Sequence, residues 1–394
     1  MRDPLFRMAL VLGLLSAVGP FAIDMYLPAL PQVAADLRTT ESGAALTLTS
    51  YFIAFGLAQM VYGPLADALG RKRPLLIGVV IFLVATVAAS LAPDIGWLIT
   101  ARAVQGLGAA TLMAVPRAVI RDMATGPAAA RMMAAIMIVI SISPMLAPLT
   151  GSLVLAWGGW REIFAVLAVA ALVSLALIVF VLPETLPPER RQPIRLGVMA
   201  AGARRLLSDG RFMGLTMIGG FGMASFFVFL ASASFVYTRQ YGLSPTGFSL
   251  AFAINAIGFF SASQLAAPLA ERFGMERVIA LAITGFAGMT LLLSLVVLAG
   301  FDALPLVVAG LFLGNACLGL VLPTAMVMSL DPHPDIAGLA SSLGGTMQML
   351  TGGLMIALTG PFLNNTSATM VPAIALCALL AFGVAVAALP RPRF

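Results

Sequence analysis

Twelve stretches of about twenty mostly apolar residues run through the chain, near 7–30, 44–65, 73–92, 96–118, 131–156, 160–182, 211–237, 246–269, 277–299, 303–327, 336–360 and 368–389. A helix needs about 20 such residues to cross the hydrocarbon core of a bilayer. Inside that core only helices and closed barrels satisfy their own backbone groups. The pattern therefore predicts an all-α membrane protein with twelve transmembrane helices. Composition agrees: of the 394 residues 61% are hydrophobic and only 10% are charged, against about 25% charged in soluble domains. So few charges cannot cover a water-facing surface, which excludes a soluble globular, a nucleic-acid-binding and a disordered chain despite the net charge of +6.

Breaks between the runs carry Pro, Gly and charge, as at Pro93-Asp94, Gly158–Glu162 and Phe301-Asp302. The first run is too long for a signal peptide and ends in Asp24 and two prolines, so it is kept as span 1. Placing the N-terminus inside puts Arg2, Arg7, Arg71, Lys72, Arg73, Arg117, Arg121, Arg131, Arg190, Arg191, Arg195, Arg204, Arg205, Arg211, Arg272, Arg277, Arg391 and Arg393 on inner segments. Only Arg38, Arg161 and Arg239 fall outside, and Arg102 lies within a span. That bias predicts that both termini face the cytoplasm. Cys317 and Cys377 sit in apolar runs and do not suggest a disulfide framework. The one histidine, His333, has no cysteine near it and does not suggest a metal site.

The chain reads as two related halves: six spans in 1–182, a cytoplasmic linker 183–210 with a short amphipathic helix near Leu196–Leu207, and six spans in 211–394. Gly63-Pro-Leu-Ala-Asp-Ala-Leu-Gly-Arg-Lys-Arg73 lies between spans 2 and 3. Ala267-Pro-Leu-Ala-Glu-Arg-Phe-Gly-Met-Glu-Arg277 lies 204 residues later, between spans 8 and 9. A half-chain repeat with an even number of spans gives two parallel six-helix bundles, and secondary transporters carry their site between such repeats.

The 63–76 stretch resembles the signature loop of the major facilitator superfamily. Gly63 and Gly70 suit tight turns there, Asp67 can face a helix N-terminus, and Arg71 to Arg73 hold the inner surface. The resemblance implies a cytoplasmic latch of Gly63, Asp67, Gly70, Arg71 and Arg73 with Arg121 and Asp122 at the inner end of span 4. The alternative is topology anchoring alone. Further stretches narrow the likeness: Asp24–Pro31 closing span 1, Leu98–Ala110 like the proton-linked motif of span 4, and Ser143–Gly151 like the antiporter motif of span 5. Glu184-Thr-Leu after span 6 and Ala337–Gly345 opening span 11 complete the set. Together they resemble the Bcr/CflA branch of twelve-span multidrug–proton antiporters. That resemblance implies efflux of drugs such as bicyclomycin, phenicols or sulfonamides across the bacterial inner membrane, with Pro144, Pro148 and Gly151 bending span 5.

Only Asp24 and Arg102 among the charges fall well within a span. A charge there costs roughly 3 kcal/mol or more, so such groups face the interior and are functional by default. Counting residues from the span ends puts both ~9 Å below the outer surface. The hypothesis is that Asp24 carries the proton and Arg102 tunes it; the alternative is a static buried pair joining spans 1 and 4. Candidate substrate-cavity residues are Tyr26, Tyr51, Gln59, Gln105, Met145, Phe227, Asn255, Phe259, Asn315 and Gln348. A mostly apolar wall with scattered polar groups suits lipophilic ligands, although such residues equally bridge helices and the phenylalanines equally fill core.

No catalytic constellation and no GxxxxGK[ST] loop occurs, so neither an enzyme nor an ATP-driven pump is expected, and no cofactor beyond the proton gradient. The expected partners are small lipophilic drugs, protons and membrane lipid, with no nucleic acid and no second copy of the chain. A proton symporter importing a small metabolite is the runner-up, disfavoured by the few polar groups in the spans.

Overall fold

The computed structural model describes residues 4–389; Arg2, Arg391 and Arg393, counted above among the inner charges, lie outside the described residues. In chain order the helices are α1 (Pro4–Asp24), α2 (Leu30–Asp36), α3 (Glu41–Leu69), α4 (Lys72–Ser90), α5 (Ile95–Met123), α6 (Gly126–Trp157) and α7 (Trp160–Phe180). They continue as α8 (Leu196–Leu207), α9 (Gly210–Arg239), α10 (Pro245–Phe273), α11 (Met275–Leu298), α12 (Leu304–Leu330), α13 (Ala337–Thr359) and α14 (Ser367–Ala388). Side chains start several of them. Thr40 Oγ1 accepts from Gly43 N, Asp94 Oδ1 from Trp97 N and Ser244 Oγ from Gly247 N, at 2.8–3.1 Å. Each satisfies a backbone N–H that the first turn leaves open.

Eleven helical segments among the described residues are long and apolar enough to cross a membrane, α1 and α2 counting together as one. The run expected at 336–360 is α13, whose 23 residues suffice in length. Its composition falls short because it carries Gly338, Gly344, Gly345, Gly352 and Gly353 with Ser341, Ser342, Thr346, Gln348 and Thr351. Packing gives the reason: the Phe227 ring of α9 lies where a Cβ on Gly352 would stand, and Gln348 and Thr351 press on Gly219 and Gly220 of α9. Small residues on both sides let two helices approach closely where lipid offers no hydrophobic drive. The other helices present apolar side chains outward, among them Leu57, Val61, Val84, Leu153, Val169, Leu292 and Leu295, a surface suited to lipid and not to water.

Span 1 does not run straight to residue 30. α1 stops at Asp24, a 3-10 turn follows at Leu27–Ala29, and α2 resumes at Leu30. The cause is in the sequence. Pro28 has no N–H for the carbonyl of residue 24, and its ring would clash with that carbonyl in a continuous helix. The one acid inside the span is therefore set at a helix end.

The chain forms two compact units, Met1–Arg195 and Leu196–Phe394, so the boundary falls inside the 183–210 segment. In the first unit α5 packs on α3 and α4, α1 on α5 and α6, and α7 on α4. The second unit repeats this scheme: α12 packs on α10 and α11, α9 on α12 and α13, and α14 on α11. The likeness reaches single residues. Gly106 of α5 abuts the carbonyl of Tyr51 on α3, and Gly319 of α12 abuts the carbonyl of Phe259 on α10. One turn earlier on each helix stand Arg102 and Asn315. The structural counterpart of the buried arginine is thus a neutral amide.

Gly108 of α5 and Gly63 of α3 separate close contact from open space. A Cβ on Gly108 would lie 2.5 Å from the Gly78 carbonyl oxygen and from the Phe82 nitrogen, both backbone atoms that cannot rotate away, whereas one on Gly63 would meet nothing within 4 Å. Gly108→Ala is expected to destabilise the protein by about 1–3 kcal/mol. Gly63→Ala, in a helix interior, is expected to be neutral or to stabilise by up to about 1 kcal/mol. Thermal unfolding midpoints of the detergent-solubilised variants measure both.

Candidate functional site

Asp24 is 5% exposed and Arg102 is 0% exposed. Both belong to the first unit, and Arg102 reaches the end of α1 where Asp24 stands. Arg102 Nη1 donates to the carbonyl of Ala22 at 3.1 Å, two residues before Asp24, and to Gln105 Oε1 at 2.6 Å. Gln105 Nε2 in turn donates to Thr86 Oγ1 of α4 at 2.7 Å. The guanidinium carbon lies 4.5 Å from the Tyr51 ring centre, 4.9 Å from that of Tyr26 and 5.9 Å from that of Phe164. Aromatic faces attract a cation, so three rings and a carbonyl surround this arginine where a counter-acid would be expected.

Among the described residues no ion pair joins Asp24 to Arg102, and the Asp24 carboxylate has no hydrogen-bond partner. Arg102 Nε and Nη2 are buried without an acceptor. Tyr51 lies within electrostatic reach of both charges. Its hydroxyl donates to the Gly19 carbonyl at 3.1 Å, and the Tyr26 hydroxyl meets Thr47 Oγ1 at 3.1 Å, so hydrogen bonds to α1 and α3 hold both rings over the cation. On the far side of the break, Gly151 of α6 abuts the Met25 carbonyl. The α6 helix runs unbroken through Pro144 and Pro148. Gly151 thus serves as the seat of the residue after Asp24, a role that span position alone does not reveal.

Other predicted cavity residues divide by unit. Tyr26, Tyr51 and Gln105 join the Arg102 assembly, while Gln59 and Met145 are half-buried away from those contacts. In the second unit Asn315 Nδ2 donates to Asn255 Oδ1 at 3.3 Å, a bridge between α12 and α10. Phe227 is 3% exposed and packed on α13. Phe259 is half-buried and stacks on Phe226 with ring centres 6.0 Å apart. Gln348 faces α9. A cavity of about 620 Å³ opens in the second unit among Arg211, Phe273, Glu276, Arg277, Met328 and Asp331, and none of the predicted site residues lines it.

The α3–α4 turn forms a second assembly. Arg71 is 5% exposed. It donates Nη1 to Asp67 at 2.5 Å, and Nε and Nη2 to Asp122 at 2.7 and 3.2 Å. Burial pulls the Arg71 pKa down, but hydrogen bonds and charges from Asp122 and Asp67 outweigh it and hold the group above its ordinary value. Gly70 has φ +89°, and a Cβ there would lie 2.5 Å from Glu184 Oε2. Three expectations need correction. Gly63 is not at a turn, because α3 continues through it to Leu69. Asp67 does not cap the backbone N–H groups at the α4 N-terminus, because its carboxylate takes the Arg71 guanidinium and Glu184 takes those groups. Arg121 and Arg73 are exposed and form no ion pair among the described residues, so Asp122 alone supplies the partner on α5.

The α4 N-terminus is instead capped from a distance. Glu184 Oε1 accepts from Arg71 N at 2.8 Å and from Leu186 N at 3.0 Å, and Oε2 accepts from Lys72 N at 3.2 Å. Thr185 Oγ1 donates to Asp122 at 3.1 Å, and Gln192 N to the Asp67 carbonyl at 3.0 Å. The start of the 183–210 segment is therefore fastened to this turn. Its sequence signal was Glu184-Thr-Leu, but nothing local tells which helix a carboxylate 112 residues away will cap.

The chain belongs to the Major Facilitator Superfamily, whose pattern it matches over residues 12–356. It is 33% identical over 370 residues to the uncharacterized MFS-type transporter YdgK of Bacillus subtilis, covering 93% of this chain and 91% of that protein. It is 30% identical over 377 residues to a bicyclomycin resistance protein homolog of Haemophilus influenzae, covering 95% and 94%. Multidrug resistance protein D of Escherichia coli is 28% identical, covering 90% and 88%. These relatives are those of a Bcr/CflA-type transporter. Among solved structures, a D-xylose–proton symporter superposes with TM-score 0.75 at 18% identity over 96% of this chain and 98% of that one. The nucleoside transporter NupG superposes with TM-score 0.77 at 14% identity over 98% of each. At such identity they share the fold alone. The protein is a multi-pass membrane transporter.

Burial pushes the Glu184 carboxyl up, but the N–H groups of Arg71, Leu186 and Lys72 and the charge of Arg191 win and hold it below its ordinary value. A carboxylate lowered on folding stabilises the fold fully above the unfolded-state pKa, and the effect disappears as pH falls through the lowered folded value. Wild type is therefore expected to exceed Glu184→Gln in unfolding midpoint at neutral pH. The gap should close as pH is lowered below the normal carboxylate range. Unfolding scans of both proteins across pH measure it.

Proposed function

We propose that the protein is a proton-coupled antiporter that exports small lipophilic drugs, such as bicyclomycin, phenicols or sulfonamides, with Asp24 as the proton site and Arg102 as its tuning partner. The observation that carries this reading is the state of the α1 break: a buried carboxyl with no partner, and a buried guanidinium held by rings and by a carbonyl two residues before that acid. A buried ion is tolerated only when paired or hydrogen-bonded, so the charge on such a carboxyl is tied to whether water reaches it. Alternating access changes that condition once per cycle. Arg102, fixed in place and short of acceptors, supplies a nearby positive charge without neutralising the acid.

The names of the Haemophilus and Escherichia relatives favour drugs as the cargo. The arginine-rich side of the chain favours the bacterial inner membrane with both termini in the cytoplasm. The Arg71–Asp67–Asp122 cluster acts as the latch on that side, opening and closing in step with the cycle. The proton gradient is the energy source, no cofactor takes part, and a monomer suffices.

In proteoliposomes with an imposed proton gradient, Asp24→Asn is expected to abolish proton-driven drug uptake while keeping drug binding. Wild-type exchange by this variant would overturn the reading. Arg102→Lys retains the charge but loses the planar fork that engages Ala22, Gln105 and the rings together. It is expected to shift the pH at which transport is half-maximal, which a pH series of initial rates detects.

A further inference from the structure

We propose that α8 is a membrane-surface helix that seats an uncovered apolar stripe in a lipid leaflet rich in acidic phospholipid. Its apolar positions Leu196, Met199, Ala200, Ala203, Leu206 and Leu207 recur at spacings of three and four, the mark of one continuous helical face. The protein covers only part of that face. Leu206 is 0% exposed, Met199 and Ala203 are half-buried, and Gly202 rests on Leu339 of α13. Leu196 and Leu207 remain 73% and 51% exposed, with Ala200 exposed between them. Arg205 pairs with Asp335 at 2.7 Å and ties the helix to the turn that opens α13.

Location and charge name the occupant. The α8 helix packs on α9, which is long and apolar enough to cross a membrane, and on the start of α13. Arg195 and Arg204 are exposed and have no ion-pair partner among the described residues. An interfacial helix of this kind sinks its apolar face to the boundary of headgroups and acyl chains and turns its arginines to anionic headgroups. The uncovered stripe thus faces hydrocarbon while Arg204, one turn along from Ala200, meets phosphate.

The test uses the full chain in nanodiscs, whose leaflets have equal composition, so it depends on neither drug export nor orientation in the cell. Nitroxides are placed by Leu207→Cys or Val198→Cys in a Cys317→Ala, Cys377→Ala background. In discs containing phosphatidylglycerol the Leu207 label is expected to be relaxed by oxygen and shielded from a water-soluble nickel chelate. The Val198 label, on the opposite face, should behave in reverse. The apparent depth of the Leu207 label is expected to fall by several ångströms, within the ~5–10 Å range of interfacial helices, in neutral phosphatidylcholine discs and in the Arg204→Glu variant. Three results would overturn the proposal: a Leu207 label as open to the chelate as that at Val198, one shielded from both relaxants as by a protein surface, or a depth indifferent to lipid charge.

Discussion

Hydrocarbon contains no water to satisfy a peptide group or to solvate a charge, and every level of this structure answers to that condition. Backbone groups are satisfied within helices, and where a helix starts, a side chain such as Asp94 or Ser244 closes the open N–H groups. Because lipid supplies no hydrophobic drive between helices, contact depends on small residues. Gly106, Gly108 and Gly319 place one backbone directly on another. Wherever the chain departs from this economy, by a break at Asp24 or a charge at Arg102, neighbouring groups have been arranged around the departure.

Those arrangements differ in kind at the two polar assemblies of the first unit. At the α3–α4 turn, acids meet Arg71 directly and Glu184 supplies the missing cap, so charges cancel in place. Around Arg102, charge is not cancelled but surrounded by ring faces, one carbonyl and one amide oxygen. The first arrangement holds a turn closed, and the second leaves an acid nearby with no fixed partner. The second unit has the same helix pairing but carries Asn315 in the equivalent position and joins it to Asn255. The scaffold is shared by both units, whereas the buried charge belongs to one.

Much of this was legible in the residues. Span positions follow from hydrophobic length, the repeat from the paired stretches that begin at Gly63 and Ala267, and the importance of Asp24 and Arg102 from the cost of a charge in lipid. The break at Asp24 was also implicit, since Pro28 stands four residues on. Other features were hidden because they depend on long-range packing. Glu184 caps a helix more than a hundred residues earlier, Gly151 seats the Met25 carbonyl, and Arg102 selects rings over the nearby acid. Gly63 reads as a turn residue because glycine tolerates any backbone conformation, while the pairing of α3 with α5 carries the helix through it to Leu69.

The outward faces carry a consequence of another sort. Leu57, Val84, Leu153 and Leu292 turn about half or more of their surface outward, and on that side nothing in the protein distinguishes one aliphatic side chain from another. Exchange among leucine, isoleucine, valine and phenylalanine there leaves the lipid contact intact, so these positions can drift freely over generations. The backbone-on-backbone glycines and the Arg102 assembly have no such freedom. A transporter of this design can thus lose most of its sequence identity to a relative while its shape persists, and a difference of residue at a lipid-facing position says little about what the protein carries.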